Sequence, residues 1–128
     1  MPEFRQNLAT KEWVIIAPER AQRPRDNNVR AGRAAKPKPE WRGDCPFCPG
    51  NEERTTKPVL VYPEDGSGWQ VRVVPNMYAA LKRDLSPTRA YRGRFLTTDG
   101  FGVADGVIEH PRHDLSPAQV TVDEVALI

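Results

Sequence analysis

Long apolar runs are missing from this 128-residue chain; none approaches the ~18 residues that a membrane-spanning helix needs. Its start, Met1-Pro2-Glu3-Phe4-Arg5, lacks the basic-then-apolar layout of a signal peptide, so the expectation is a cytoplasmic protein with no membrane partner. Cysteine is scarce: in a reducing compartment the chain's two cysteines suit a metal pair or a redox pair better than a structural disulfide. An excess of charge of one sign is missing too, and a net charge of +2 gives no whole-molecule field for nucleic acid. Apolar residues make up 38% of the chain, against ~45% in an average globular protein. Proline, by contrast, is abundant at 13 residues. This balance suits one modest folded body with long irregular segments and argues against a compact helical bundle. Internal repeats and low-complexity tracts are absent.

What is present begins with Trp13-Val14-Ile15-Ile16-Ala17, a β-branched and aromatic run that predicts a strand closed by Pro18. Residues 18–44 predict a long loop, rich in Arg, Pro, Asn and Ala and without periodicity. Cys45-Pro46-Phe47-Cys48-Pro49-Gly50 is a tight turn by composition. Val59–Tyr62 and Trp69–Val74 predict two strands, and the turn formers of 63–68 between them predict an antiparallel hairpin. The glycines between Gly93 and Gly106 favour loops with one short strand over 82–106, and Val107-Ile108-Glu109 is a minimal strand. Ser116, Pro117 and Gln119 form an N-cap, a first-turn proline and a capping box, predicting a helix over 116–128. That helix reaches Ile128 without a stop signal, the pattern expected of a truncated domain.

The Cys45-x-x-Cys48 pair places two thiols on one turn, a separation that suits two corners of a zinc tetrahedron. The only histidines, His110 and His113, are the candidates for further ligands, with His113 the better placed to close a site. Two alternatives stand beside this. The pair could be a thiol redox couple, but Trp41-Arg42-Gly43-Asp44 makes a poor preceding strand and Pro49-Gly50 would break the helix such couples open. It could also be two unliganded thiols in a loop. From Glu19 to Arg42 the chain holds Arg20, Arg23, Arg25, Arg30, Arg33, Lys36, Lys38 and Arg42 against Glu19, Asp26 and Glu40. Arg20 and Arg23 follow a strand end, where guanidinium forks suit phosphate oxygens. The alternative is a solvated basic loop; nucleic-acid binding is disfavoured because interleaved aromatics are lacking.

These pieces line up with one family. Trp13-Val14-Ile15 followed by Pro18-x-Arg20-Ala21-x-Arg23-Pro24 resembles the opening of the galactose-1-phosphate uridylyltransferases, members of the histidine-triad superfamily. Cys45-Pro46-Phe47-Cys48-x-Gly50-Asn51-Glu52 resembles their zinc turn, and Val73-x-Pro75-Asn76-x-Tyr78-x-Ala80-Leu81 their nucleotide-contacting strand end. Val107-Ile108-Glu109-x-Pro111-x-His113 resembles the segment that delivers their third zinc ligand. The resemblance implies an α+β fold: an antiparallel sheet forming part of a half-barrel, with long loops and a C-terminal helix. It implies transfer of a uridylyl group from UDP-glucose to a hexose 1-phosphate through a uridylyl-histidine, in galactose metabolism, by a homodimer. It assigns Cys45, Cys48 and His113 to a structural zinc, Arg20 and Arg23 to nucleotide phosphates, Phe47 to the uracil or ribose pocket and Asn76 to a nucleotide hydrogen bond. The family's nucleophile lies in a His-Pro-His motif further on, and no histidine follows His113, so the chain by itself is expected to be inactive. The first histidine of that motif is also the fourth zinc ligand, leaving a corner for water or His110. Relatives with the same front half handle adenylyl groups. A non-enzymatic zinc-stabilised module that binds phosphate or a partner is the competing function.

Overall fold

The computed structural model describes residues 1–23 and 37–128. Arg25, Asp26, Arg30, Arg33 and Lys36 of the basic segment lie outside the described residues. Among those described, 1–23 and 78–104 form one unit and 37–77 and 105–128 another.

In the first unit β1 (Glu3–Gln6) and β2 (Trp13–Ile16) form an antiparallel hairpin. Asn7 sets its turn by accepting the Ala9 and Thr10 N–H groups on Oδ1, the local bond that makes asparagine a turn former. The strand expected over 13–17 is therefore found, and it closes into a short 3-10 turn over Pro18–Gln22. The region 82–106 departs from expectation. It contributes two strands, numbered after β3 (Leu60–Tyr62) and β4 (Val71–Pro75) of the second unit: β5 (Arg89–Arg92) and β6 (Phe95–Asp99). Gly93 at φ +61 lets the chain reverse in the two residues between them. These strands carry polar and charged residues on both faces, so no apolar alternation announces them. The order is β2-β1-β6-β5, all antiparallel, and the buried Glu3 binds Arg5 on its own strand and Arg92 across the sheet.

In the second unit β3 and β4 form the expected antiparallel hairpin, and β7 (Asp105–Ile108) pairs on the other side of β4 to give the order β3-β4-β7. As the middle strand, β4 buries Val71, Arg72 and Val74. The α+β class holds, but with two open antiparallel sheets where one sheet was expected.

The helix begins later than its sequence suggests. Only half of the Ser116–Gln119 box forms: Gln119 Oε1 accepts the Ser116 N–H and hydroxyl, while the Gln119 N–H donates to the Ser116 carbonyl and closes only a turn. The chain then extends at Thr121 (φ −70°, ψ 162°) and a second capping box, Thr121 with Glu124, starts α1 (Val122–Val125). Val120-Thr121-Val122 is β-branched throughout, which disfavours carrying the first turn onward, whereas an extended Thr121 is what an N-cap requires.

Candidate metal centre and nucleotide-facing residues

Residues 42–54 step through backbone bonds of one kind: the N–H groups of Cys45, Cys48, Asn51 and Arg54 donate to the carbonyls of Arg42, Cys45, Cys48 and Asn51, at 3.0–3.3 Å. Bonds of this i to i−3 type eclipse side chains three apart, which brings the two cysteines to one side of the turn. Neighbouring side chains lock it. Asn51 Nδ2 donates to the Arg42 and Cys45 carbonyls, the Trp41 indole N–H to the Pro49 carbonyl, and Arg54 to the Gly43 carbonyl.

The third member arrives from beyond β7. The His113 N–H donates to the Glu40 carbonyl at 2.8 Å, and the Arg112 guanidinium bonds both Glu40 and Asp114. One side-chain ligand atom from each of Cys45, Cys48 and His113 then lies within 4.8 Å of the others, a group able to bind a metal. Cys48 Sγ is 3.6 Å from His113 Nδ1. Zn–S and Zn–N bonds of about 2.3 and 2.0 Å at the tetrahedral angle place sulfur and nitrogen about 3.5 Å apart, so the pair already has the edge length of a zinc site. Cys48 is 1% exposed, and its Sγ accepts the Arg42 N–H at 3.4 Å, a contact that favours a thiolate ligand. Without a metal, burial dominates and pushes the Cys48 thiol above its ordinary value, reinforced by the neighbouring Cys45.

His110 does not fill the remaining corner. Its Nδ1 accepts the Arg112 N–H at 3.0 Å, which leaves the ring proton on Nε2, facing Glu124 Oε1 at 3.4 Å.

The nucleotide candidates fall in both units. Phe47 projects from the cysteine turn and is half exposed, and Asn76 follows the end of β4, partly buried. Arg20 and Arg23 lie in the first unit on and just after the 3-10 turn; both are exposed, with no side-chain partner among the described residues. Glu19 on the same turn is engaged instead, bound to Lys82 at 2.9 Å. The residues that sequence reasoning missed are those that bond the turn and the His113 segment: Glu40, Arg42 and Asn51. Of these only Asn51 stood in the quoted zinc-turn motif, and nothing local marks the roles of the other two.

The chain matches the family "Galactose-1-phosphate uridyl transferase, N-terminal domain" over residues 1–128, and it belongs to that family. That family is of the nucleotidyl or uridylyl transferase type. The curated "ADP-glucose phosphorylase" of Arabidopsis thaliana is 36% identical over 121 residues, covering 93% of this chain and 34% of that protein. The crystal structure of an ADP-glucose phosphorylase from Arabidopsis thaliana with bound ADP-glucose is 31% identical, with TM-score 0.50 over 94% of this chain and 32% of that one. A structure of a uridylyltransferase, 23% identical, shares the fold with TM-score 0.58 over 96% of this chain and 30% of that one. The chain thus spans about a third of the length of these relatives. No helix among the described residues is long and apolar enough to cross a membrane.

Proposed function

We propose that this chain is the nucleotide-facing portion of a cytoplasmic nucleotidyltransferase, homodimeric in its full-length form, that acts on a nucleotide sugar and a hexose 1-phosphate. The observation that carries this is the family match over residues 1–128. Cys45, Cys48 and His113 would hold a structural zinc, which supplies a rigid cross-link between the cysteine turn and the segment after β7. The polypeptide does the rest. Arg20 and Arg23 offer guanidinium forks, exposed and without a side-chain partner among the described residues, to phosphate oxygens, neutralising charge on the transferred group. Phe47 presents a half-exposed ring to the base or ribose, and the Asn76 carboxamide hydrogen-bonds the nucleotide. The covalent nucleotidyl-histidine is assigned to neither histidine of this chain, since His110 is engaged with Glu124 and His113 belongs to the metal group.

UDP-glucose is the nucleotide sugar implied by the motifs. ADP-glucose is a second reading, favoured by the 36% identity to a protein named for it. Calorimetric titration of the zinc-loaded chain with each sugar nucleotide tests both. One of the two binds selectively, and Arg20→Ala with Arg23→Ala weakens it about tenfold or more, since each hydrogen bond to a charged group contributes about 1.5–3 kcal/mol. Equal, salt-sensitive binding of any polyanion would replace this reading with the non-enzymatic module.

A further inference from the structure

Arg72 sits in the middle strand β4, opposite Val61 on one side and Ile108 on the other. It is 1% exposed, and Nε, Nη1 and Nη2 all lack a hydrogen-bond partner among the described residues. A guanidinium withdrawn this far from water keeps its charge, so compensation has to come from nearby groups. Two supply it. The Trp69 ring centroid lies 4.8 Å from Arg72 Cζ, a cation–π distance. The Glu52 carboxylate adds an opposite charge, which works against burial in keeping Arg72 protonated.

That carboxylate is also bonded to the cysteine turn. Glu52 Oε1 accepts the Trp69 indole N–H at 2.8 Å and the Gly50 N–H at 3.1 Å. Gly50 stands two residues after Cys48, at φ +87°, where the chain leaves the metal group. Burial alone would push the Glu52 carboxyl up; the Trp69 indole, its own and the Gly50 backbone N–H groups and the Arg72 charge outweigh it and hold the group below its ordinary value. A continuous path therefore runs from Arg72 through Trp69 and Glu52 to Gly50 and Cys48.

We propose that Glu52 is a positioning residue for the Cys45–Cys48 metal turn, fixed by Trp69 and Arg72 of the β3–β4 hairpin, so that metal affinity depends on an element that supplies no ligand. The inference rests on the metal reading above. Without the carboxylate, Gly50 loses its acceptor and the turn frays when metal-free. The cysteine geometry then has to be rebuilt at each binding event, and affinity falls.

The test is competition for zinc against a chromophoric chelator, with cobalt(II) spectra as the second readout, in the full chain and in the variants Glu52→Ala, Glu52→Gln and Trp69→Phe. Glu52→Ala should bind zinc about 10- to 100-fold more weakly, the usual effect of removing a group that orients a metal site. Glu52→Gln keeps an acceptor oxygen and should return affinity to within about threefold of the parent; its missing charge beside Arg72 appears instead as a lower melting temperature. Trp69→Phe keeps a ring for Arg72, deletes the indole N–H and should weaken zinc severalfold. Cobalt spectra should stay alike throughout, since no ligand changes. Parent-like affinity in Glu52→Ala, or equal losses in the Ala and Gln variants, overturns the proposal. If Glu52→Ala does not fold, Trp69→Phe decides, and parent-like affinity there overturns it as well. A parent chain that takes up neither metal sinks the metal reading itself, a result distinct from a parent that binds and variants that bind equally.

Discussion

Replacing His113 by Ala should abolish most of the stabilisation that zinc gives the fold, while leaving the cysteine pair able to bind metal. Cys45 and Cys48 are local, so they can still hold a zinc ion, more weakly, in the unfolded chain. His113 is separated from Cys48 by 65 positions, and only the folded chain delivers it without first closing a long loop. The chain-entropy relation for a loop of 65 residues gives about 4 kcal/mol at 25 °C, the amount by which folded protein should out-bind unfolded protein. For a chain of 128 residues that corresponds to a rise in melting temperature of roughly 10–20 °C. The assay is calorimetric melting in reductant, with EDTA or with buffered free zinc, on the parent and on His113→Ala. The parent should show the full difference and the variant little of it, and the two EDTA curves should nearly coincide. A zinc shift of equal size in both proteins would refute the reasoning, because the histidine would then not be the long-range tie.

Acid should weaken the metal-free fold. Glu19 beside Lys82, Asp44 beside Arg42, Asp65 beside Ser67, Asp114 beside Arg112 and Glu124 under the Thr121 N–H are all held below their ordinary values by these partners. Depressed folded-state pKa values contribute stability that is complete above the unfolded values and is lost as pH falls through the folded ones. Urea midpoints in EDTA should therefore be flat above about pH 5 and drop steadily below about pH 4; a rise on acidification would contradict this. In the first unit, Gly100→Ala should cost about 1–3 kcal/mol by overpacking, because its new Cβ would stand 2.9 Å from Pro2 Cβ and 3.0 Å from the Pro2 carbonyl oxygen. Chemical denaturation measures it, and an unchanged midpoint would mean that Pro2 yields freely although the Gly100 N–H is bonded to its carbonyl at 2.9 Å.

Much of the site was legible in the sequence because turns are local. Two cysteines three apart, flanked by prolines and glycine, define their own geometry, and the turn formers between Tyr62 and Trp69 predict the hairpin that β3 and β4 make. The strand at Trp13–Ile16 was equally plain, being aromatic and β-branched along its length. What the sequence alone determined is thus most of the local conformations and the two thiols with His113 as their favoured partner. Tertiary structure supplied the geometry behind that choice: the Glu40 carbonyl positions the His113 backbone while Glu124 engages His110. It also decided that the polar segments Arg89–Arg92 and Phe95–Asp99 are strands, since their pairing partners, not their own alternation, hold them extended. It moved the helix start to Thr121, and it buried Arg72 against Trp69 beside Glu52. The physical reason is common to all four. Each depends on which distant groups share a small volume, and that follows from strand pairing across the whole chain and not from the preferences of any one segment.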